Sequence, residues 1–167
     1  MKKLLALSIA IVLIITALLL SSCANYDRVT NEDAKEHKKM LLEKYDSIKK
    51  VKIFCGPVKL YFEMEMKNYD EMEDLFNEFL VFAKTYDLKE MLSEKNKKYG
   101  YPNIKIIAKH RDVVTQYYSK FEKDQDDFDY QEWRVWVDGV EPYYLWKAKL
   151  VDSEFEVEKE VLVPDSR

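Results

Sequence analysis

A chain of 167 residues with 27 basic and 31 acidic side chains carries a formal charge of −4. Removal of a leader holding Lys2 and Lys3 leaves 25 basic residues against 31 acidic ones, a net −6, which argues against general nucleic-acid binding. Three glycines and four prolines are too few for a low-complexity chain, so most of the sequence is expected to be regular structure.

Lys2 and Lys3 precede an apolar run from Leu4 to Leu20 that is interrupted only by Ser8 and Thr16. This is the charged start and hydrophobic middle of a secretory signal. At about 1.5 Å per residue the run falls slightly short of a hydrocarbon core of roughly 30 Å, so its length alone leaves an uncleaved anchor open. Leu20-Ser21-Ser22-Cys23 follows, with a branched apolar residue and two small ones ahead of a cysteine. The segment resembles the lipobox of bacterial lipoproteins, the type II signal peptide. That resemblance covers about the first seventh of the chain. It implies a diacylglyceryl group on the thiol of Cys23, cleavage of the Ser22–Cys23 bond, and residence on the extracytoplasmic side of the cell membrane. Residues 1–22 are then the signal peptide and Cys23 the lipidation site. An ordinary signal peptide or anchor that happens to hold a cysteine is the alternative. With Cys23 carrying lipid, Cys55 has no partner for an internal disulfide, and its apolar neighbours predict a buried free thiol.

Residues 23–30 read as a short membrane tether, with Ala24 to Val29 spanning at most roughly 20 Å. Thr30 with Asp33 forms a capping pattern, and Ala34, His37, Leu41, Tyr45 and Ile48 recur at helical spacing, predicting a helix from Asn31 to about Ser47. Val51 to Cys55 is a short strand. After Gly56-Pro57, the alternation of Leu60, Phe62, Met64 and Met66 with Tyr61, Glu63 and Glu65 predicts a half-buried strand. Asn68 with Glu71 is the expected cap of a second helix carrying Met72, Leu75, Phe76, Phe79, Phe82, Ala83 and Tyr86 on one stripe. A break near Tyr86-Asp87 precedes a further short helix through Met91 and Leu92, ended by Gly100 and Pro102.

Beyond these, the pattern turns to strands at Ile104 to Ala108, Val113 to Phe121, Gln131 to Val137 and Tyr143 to Leu150. A last alternating run from Phe155 to Val163 predicts an edge strand protected by its glutamates. Asp138-Gly139 is a favoured hairpin turn. Tight closure would set Val137 against Val140, Trp133 against Tyr144 and Arg134 against Tyr143, although Pro142 points to an edge position or a wider loop. The expected fold class is α+β: an antiparallel sheet of about five to seven strands with helices packed on one face, over residues 31–167 as one extracytoplasmic domain. The helix-plus-hairpin unit used twice resembles cystatin-like folds.

Few residues point to chemistry. His37 follows Asp33 and Glu36 but lacks a second histidine at four-residue spacing, so a half-buried helical histidine is expected in place of a metal ligand. His110 falls in the turn Lys109-His110-Arg111-Asp112. Asp124, Asp126, Asp127 and Asp129 fail the calcium-loop spacing and read as a solvated turn. No glycine-flanked serine elbow or glycine-rich phosphate cradle occurs. No catalytic residues, metal or cofactor are therefore assigned, and the chain is read as not an enzyme. The expected interaction face is the outward side of the late sheet, with Arg134, Trp136, Tyr143, Leu145 and Lys147, joined by Tyr118. Such a surface suits an envelope protein partner or a glycan. Binding at the envelope is the preferred function, with a lipoprotein that binds a glycan or small molecule as the alternative and an envelope hydrolase third.

Overall fold

In the structure, a computed structural model that describes residues 26–119, 128–137 and 140–162 (the backbone alone for 140–143 and 162), eight strands lie side by side in chain order in one open sheet. The elements are β1 (Asp27–Arg28), α1 (Glu32–Lys44), β2 (Ile48–Gly56), β3 (Lys59–Met66), α2 (Met72–Thr85) and α3 (Glu94–Lys97). They are followed by β4 (Asn103–His110), β5 (Val113–Ser119), β6 (Tyr130–Val137), β7 (Val140–Val151) and β8 (Glu154–Leu162). The class is α+β as expected, with more strands than the five to seven predicted. The added one is β1, where residues expected to be tether pair with Cys55 and Phe54. Nor is the sheet wholly antiparallel: β3 and β4 run parallel, because the segment between them crosses over through α2 and α3.

Local chemistry sets the helix ends. Asn31, one residue after the predicted cap, accepts a hydrogen bond from the Ala34 N–H at 3.1 Å and starts α1. Glu71 does not complete a box with Asn68; its Oε2 accepts from the Ser47 N–H at 2.8 Å, and α2 begins at Met72. Met91 and Leu92 are buried in turns ahead of α3, not in a helix.

Both long helices lie on one side of the sheet. His37 of α1 and Phe79 and Phe82 of α2 pack on Phe62 of β3, while Phe76 of α2 packs on Tyr117, Trp133 and Trp146 of β5 to β7. The inward residues of β3 and β4, Leu60, Phe62, Met64, Ile104, Ile106 and Ala108, are all buried, as period-two alternation requires. At the far edge, Lys159 of β8 closes the core with its aliphatic stem, its ammonium 4.5 Å from the centre of the Trp146 ring and paired with Glu73 of α2.

The late hairpin differs from the tight closure in register. Val137 faces Val140 as expected, but Val135 faces Tyr144, Trp133 faces Trp146 and Arg134 faces Leu145, not Tyr143. The ladder is irregular between Val135 and Val137, so residues 141–143 of β7 stand against Trp136 alone. Pro142 has no N–H to give a regular ladder, which accounts for the irregularity. Because the displacement equals one period of a strand, every side keeps its face. The Asp138-Gly139 turn lies outside the described residues.

Candidate functional site

The side of the sheet away from the helices carries a row of outward residues that crosses seven strands in register. Arg28 stands beside Phe54, Phe54 beside Tyr61, Tyr61 beside Lys105, Lys105 beside Tyr118, Tyr118 beside Arg134, and Arg134 beside Leu145. Alternation within each strand turns these residues outward, and the register lines them up.

Aromatic packing fixes the first third of the row. Phe54 and Tyr61 stack with centroids 5.1 Å apart and planes 14° from parallel, and Tyr26 sets its edge against both at 5.2 and 5.0 Å. Burial, with Tyr26 as neighbour, pushes the Tyr61 hydroxyl well above the ordinary phenol range, so this ring stays neutral. In the middle, the Lys59 ammonium lies 4.8 Å from the Tyr118 ring centre and that of Lys105 lies 5.3 Å from the Trp136 ring. Asn103 Nδ2 donates to the Tyr118 hydroxyl at 2.8 Å. These contacts hold rings and cations in a fixed mosaic.

The structure places four of the five residues expected on the late sheet together on this side. Arg134 is exposed, Trp136 stands in the next row beside Gln116, Leu145 continues the Arg134 row, and Lys147 lies opposite Glu132 and pairs with Glu160 at 2.9 Å. The Tyr143 side chain and Cys23 lie outside the described residues. Neither α1 nor β8 covers the face: α1 packs on the opposite side, and β8 extends the sheet at its edge. Phe54, Tyr61, Lys59 and Lys105 belong to the same surface but were not picked out from sequence. Each alternates correctly in its own strand, yet only the register joins them.

The isolated candidates separate from this surface. His37 is buried in an aromatic cage of Phe62, Phe79 and Phe82, while Asp33 and Glu36 are exposed, so the helical triplet does not converge. His110 ends β4 at the predicted turn, with Nδ1 3.1 Å from the Met66 carbonyl. Asp129 pairs with Lys84 of α2, and Asp124, Asp126 and Asp127 lie outside the described residues. Cys55 is a free, buried thiol, as its neighbours predicted.

A second feature lies at the β2 edge of the sheet. A groove of about 950 Å³ runs between α1 and β2, with Ala34, Leu42, Val51 and Ile53 among its apolar lining. Arg28, Lys35, Lys38, Lys49, Lys50 and Lys52 surround it, and no acidic residue lines it among the described residues. No family model, curated protein or solved structure matches the chain.

Proposed function

We propose that this chain is a lipid-anchored protein on the extracytoplasmic side of the cell membrane whose folded part acts by binding a partner at the envelope, without catalysis. The observation that carries the binding reading is the outward row of aromatic and cationic side chains, Phe54, Tyr61, Lys105, Tyr118 and Arg134, on a sheet face that neither α1 nor β8 covers. Rigid rings offer contact area at little entropic cost, and fixed cations between them select an acidic or π-rich protein surface. The address rests on the lipobox-like segment ending at Cys23. Tyr26 follows Cys23 by three residues, so the aromatic end of the row begins within roughly 10 Å of chain from the anchor. Two acyl chains hold such a protein stably where one would not. The helix-plus-hairpin unit, used as α1-β2-β3 and again as α2-β4-β5, supports the likeness to cystatin-like folds.

Two measurements test the reading separately. Cys23→Ala is expected to leave an uncut, unlipidated precursor by intact mass, and an unchanged lipid-bearing mass overturns the address. Crosslinking and pull-down from intact membranes are expected to lose the partner by about tenfold in Arg134→Ala with Trp136→Ala, while the melting temperature moves by less than about 4 °C. Retention of the partner, or a large fall in melting temperature, overturns the assignment of this face.

A further inference from the structure

We propose that the open edge of β2 docks a polypeptide partner: an extended acidic segment, with carboxylates alternating with apolar side chains, that adds to the sheet as a further strand. The inference goes beyond the reading of the outward face, because it uses the edge of the sheet and stands whether or not Cys23 is lipidated.

The edge itself is the first observation. β1 pairs only with Cys55 and Phe54, and the Val29 N–H donates to the Ile53 carbonyl at 3.4 Å, after which residues 48–52 have no strand beside them among the described residues. Since Ile53 turns its carbonyl outward, alternation turns the N–H and C=O of Val51 outward too. Those groups meet no described partner, and Val51 lines the groove. An edge of this kind is a template for a further strand.

The shape and charge of the groove name the partner's chemistry. Six consecutive residues, 49–54, line it. Successive side chains of a strand point to opposite faces, so only an edge can present all six. A docked strand would lay its inward side chains on Ala34, Leu42 and Val51 and its outward ones beside Lys50 and Lys52. Arg28, Lys38 and Lys50 form no ion pair with any described residue. Lysines guard an edge against strands at large, yet favour one that carries carboxylates.

The opposite edge of the same sheet already holds such a strand. On β8, Glu156 and Glu158 stand opposite Lys149 and Lys147 of β7, while Val157 and Phe155 face Ala148 and Leu150 on the inner side. β2 repeats the host pattern, with Lys50 and Lys52 outward and Val51 and Ile53 inward. This is recognition by strand addition, with backbone pairing for affinity and charge for choice of partner.

The test uses the full chain in detergent micelles and, as probes, a peptide with the sequence of residues 154–162 and a second in which every glutamate is lysine. The acidic peptide is expected to slow amide exchange at Val51 by about tenfold or more, and K50Q/K52Q, which places no like charges opposite Glu65 and Glu63, to weaken its binding by about tenfold with a melting temperature within about 4 °C of the unmutated chain. Absence of protection, or equal binding of the lysine peptide, overturns the proposal. Equal protection by phosphatidylglycerol vesicles without peptide would give the groove to the membrane. Concentration-dependent protection without any probe would give it to a second copy. Either result also overturns the proposal.

Discussion

Trp133→Ala is expected to be the most damaging single substitution, lowering stability by about 4 kcal/mol or more of the roughly 5–15 kcal/mol available to a domain of this size. Trp133 is the largest of the fully buried side chains. It sits at the centre of the helix-facing side of the sheet, opposite Trp146, with the edge of Phe76 from α2 against it at 5.3 Å and 83°. Truncation removes the packing that ties α2 to β6 and leaves a cavity that three elements must collapse together to fill.

A second cost comes from hydrogen bonding. The indole Nε1 donates to Gln131 Oε1 at 3.2 Å, and Gln131 Nε2 donates to the carbonyls of Leu80 at 2.9 Å and Phe128 at 3.2 Å. Gln131 is 1% exposed, so loss of the indole strands its oxygen away from water at about 1–3 kcal/mol. Trp133→Phe keeps a ring against Phe76 and loses the donor and the second fused ring, so its cost should fall below that of alanine without vanishing. Urea unfolding of the three proteins, followed by far-UV circular dichroism, measures both. Near-equal stability of Trp133→Ala and the unmutated chain would contradict the packing described.

The same residues show what a sequence conveys. Trp133 and Val135 were readable as core because the period of two survives any neighbour, and the stripe of α2 was readable because five of its residues, Leu75, Phe76, Phe79, Phe82 and Ala83, are buried at helical spacing. Leu80 escaped that stripe although it is fully buried, since the helix is covered more widely than one line of residues. β1 was unreadable because two residues have no period. The parallel pairing of β3 and β4 depends on where α2 returns the chain, which alternation does not encode. In the late hairpin the face was right and the partner wrong, because Pro142 changes the register by one full period. The outward surface was half legible for the same reason: Arg134 and Trp136 were visible on their own strand, whereas Phe54, Tyr61 and Lys105 join them only through pairing across chain-distant strands. The β2 groove draws on residues from Tyr26 to Phe54 and needs both α1 and the short reach of β1 to exist at all.

His37 should make stability fall in mild acid, and His37→Phe should remove that fall. The imidazole is 4% exposed, stacked on Phe82 at 4.1 Å and met edge-on by Phe79 and Phe62, and its Nε2 has no hydrogen-bond partner among the described residues. Burial among hydrocarbon rings disfavours the cation and pulls the group down from 6.5 to about 4, with Glu78 opposing the shift. The sign follows from linkage: the folded value lies below the unfolded one, so the unfolded chain binds the extra proton between them. Stability is then complete above about pH 6.5, declines as pH falls through the window to about 4, and is flat in this contribution below it. At about 1.4 kcal/mol per unit the decline amounts to roughly 3 kcal/mol. Carboxylates held low by hydrogen bonds, such as Glu71 to Ser47 and Glu65 to Lys49, lose their contribution in stronger acid. They are common to both proteins and cancel in the comparison. Urea midpoints from pH 7 to pH 4.5 should therefore diverge, with the phenylalanine variant nearly level and the unmutated chain falling. Parallel curves would mean that the imidazole is hydrated or paired in solution, and that α1 does not seat against Phe62 and Phe82 as described.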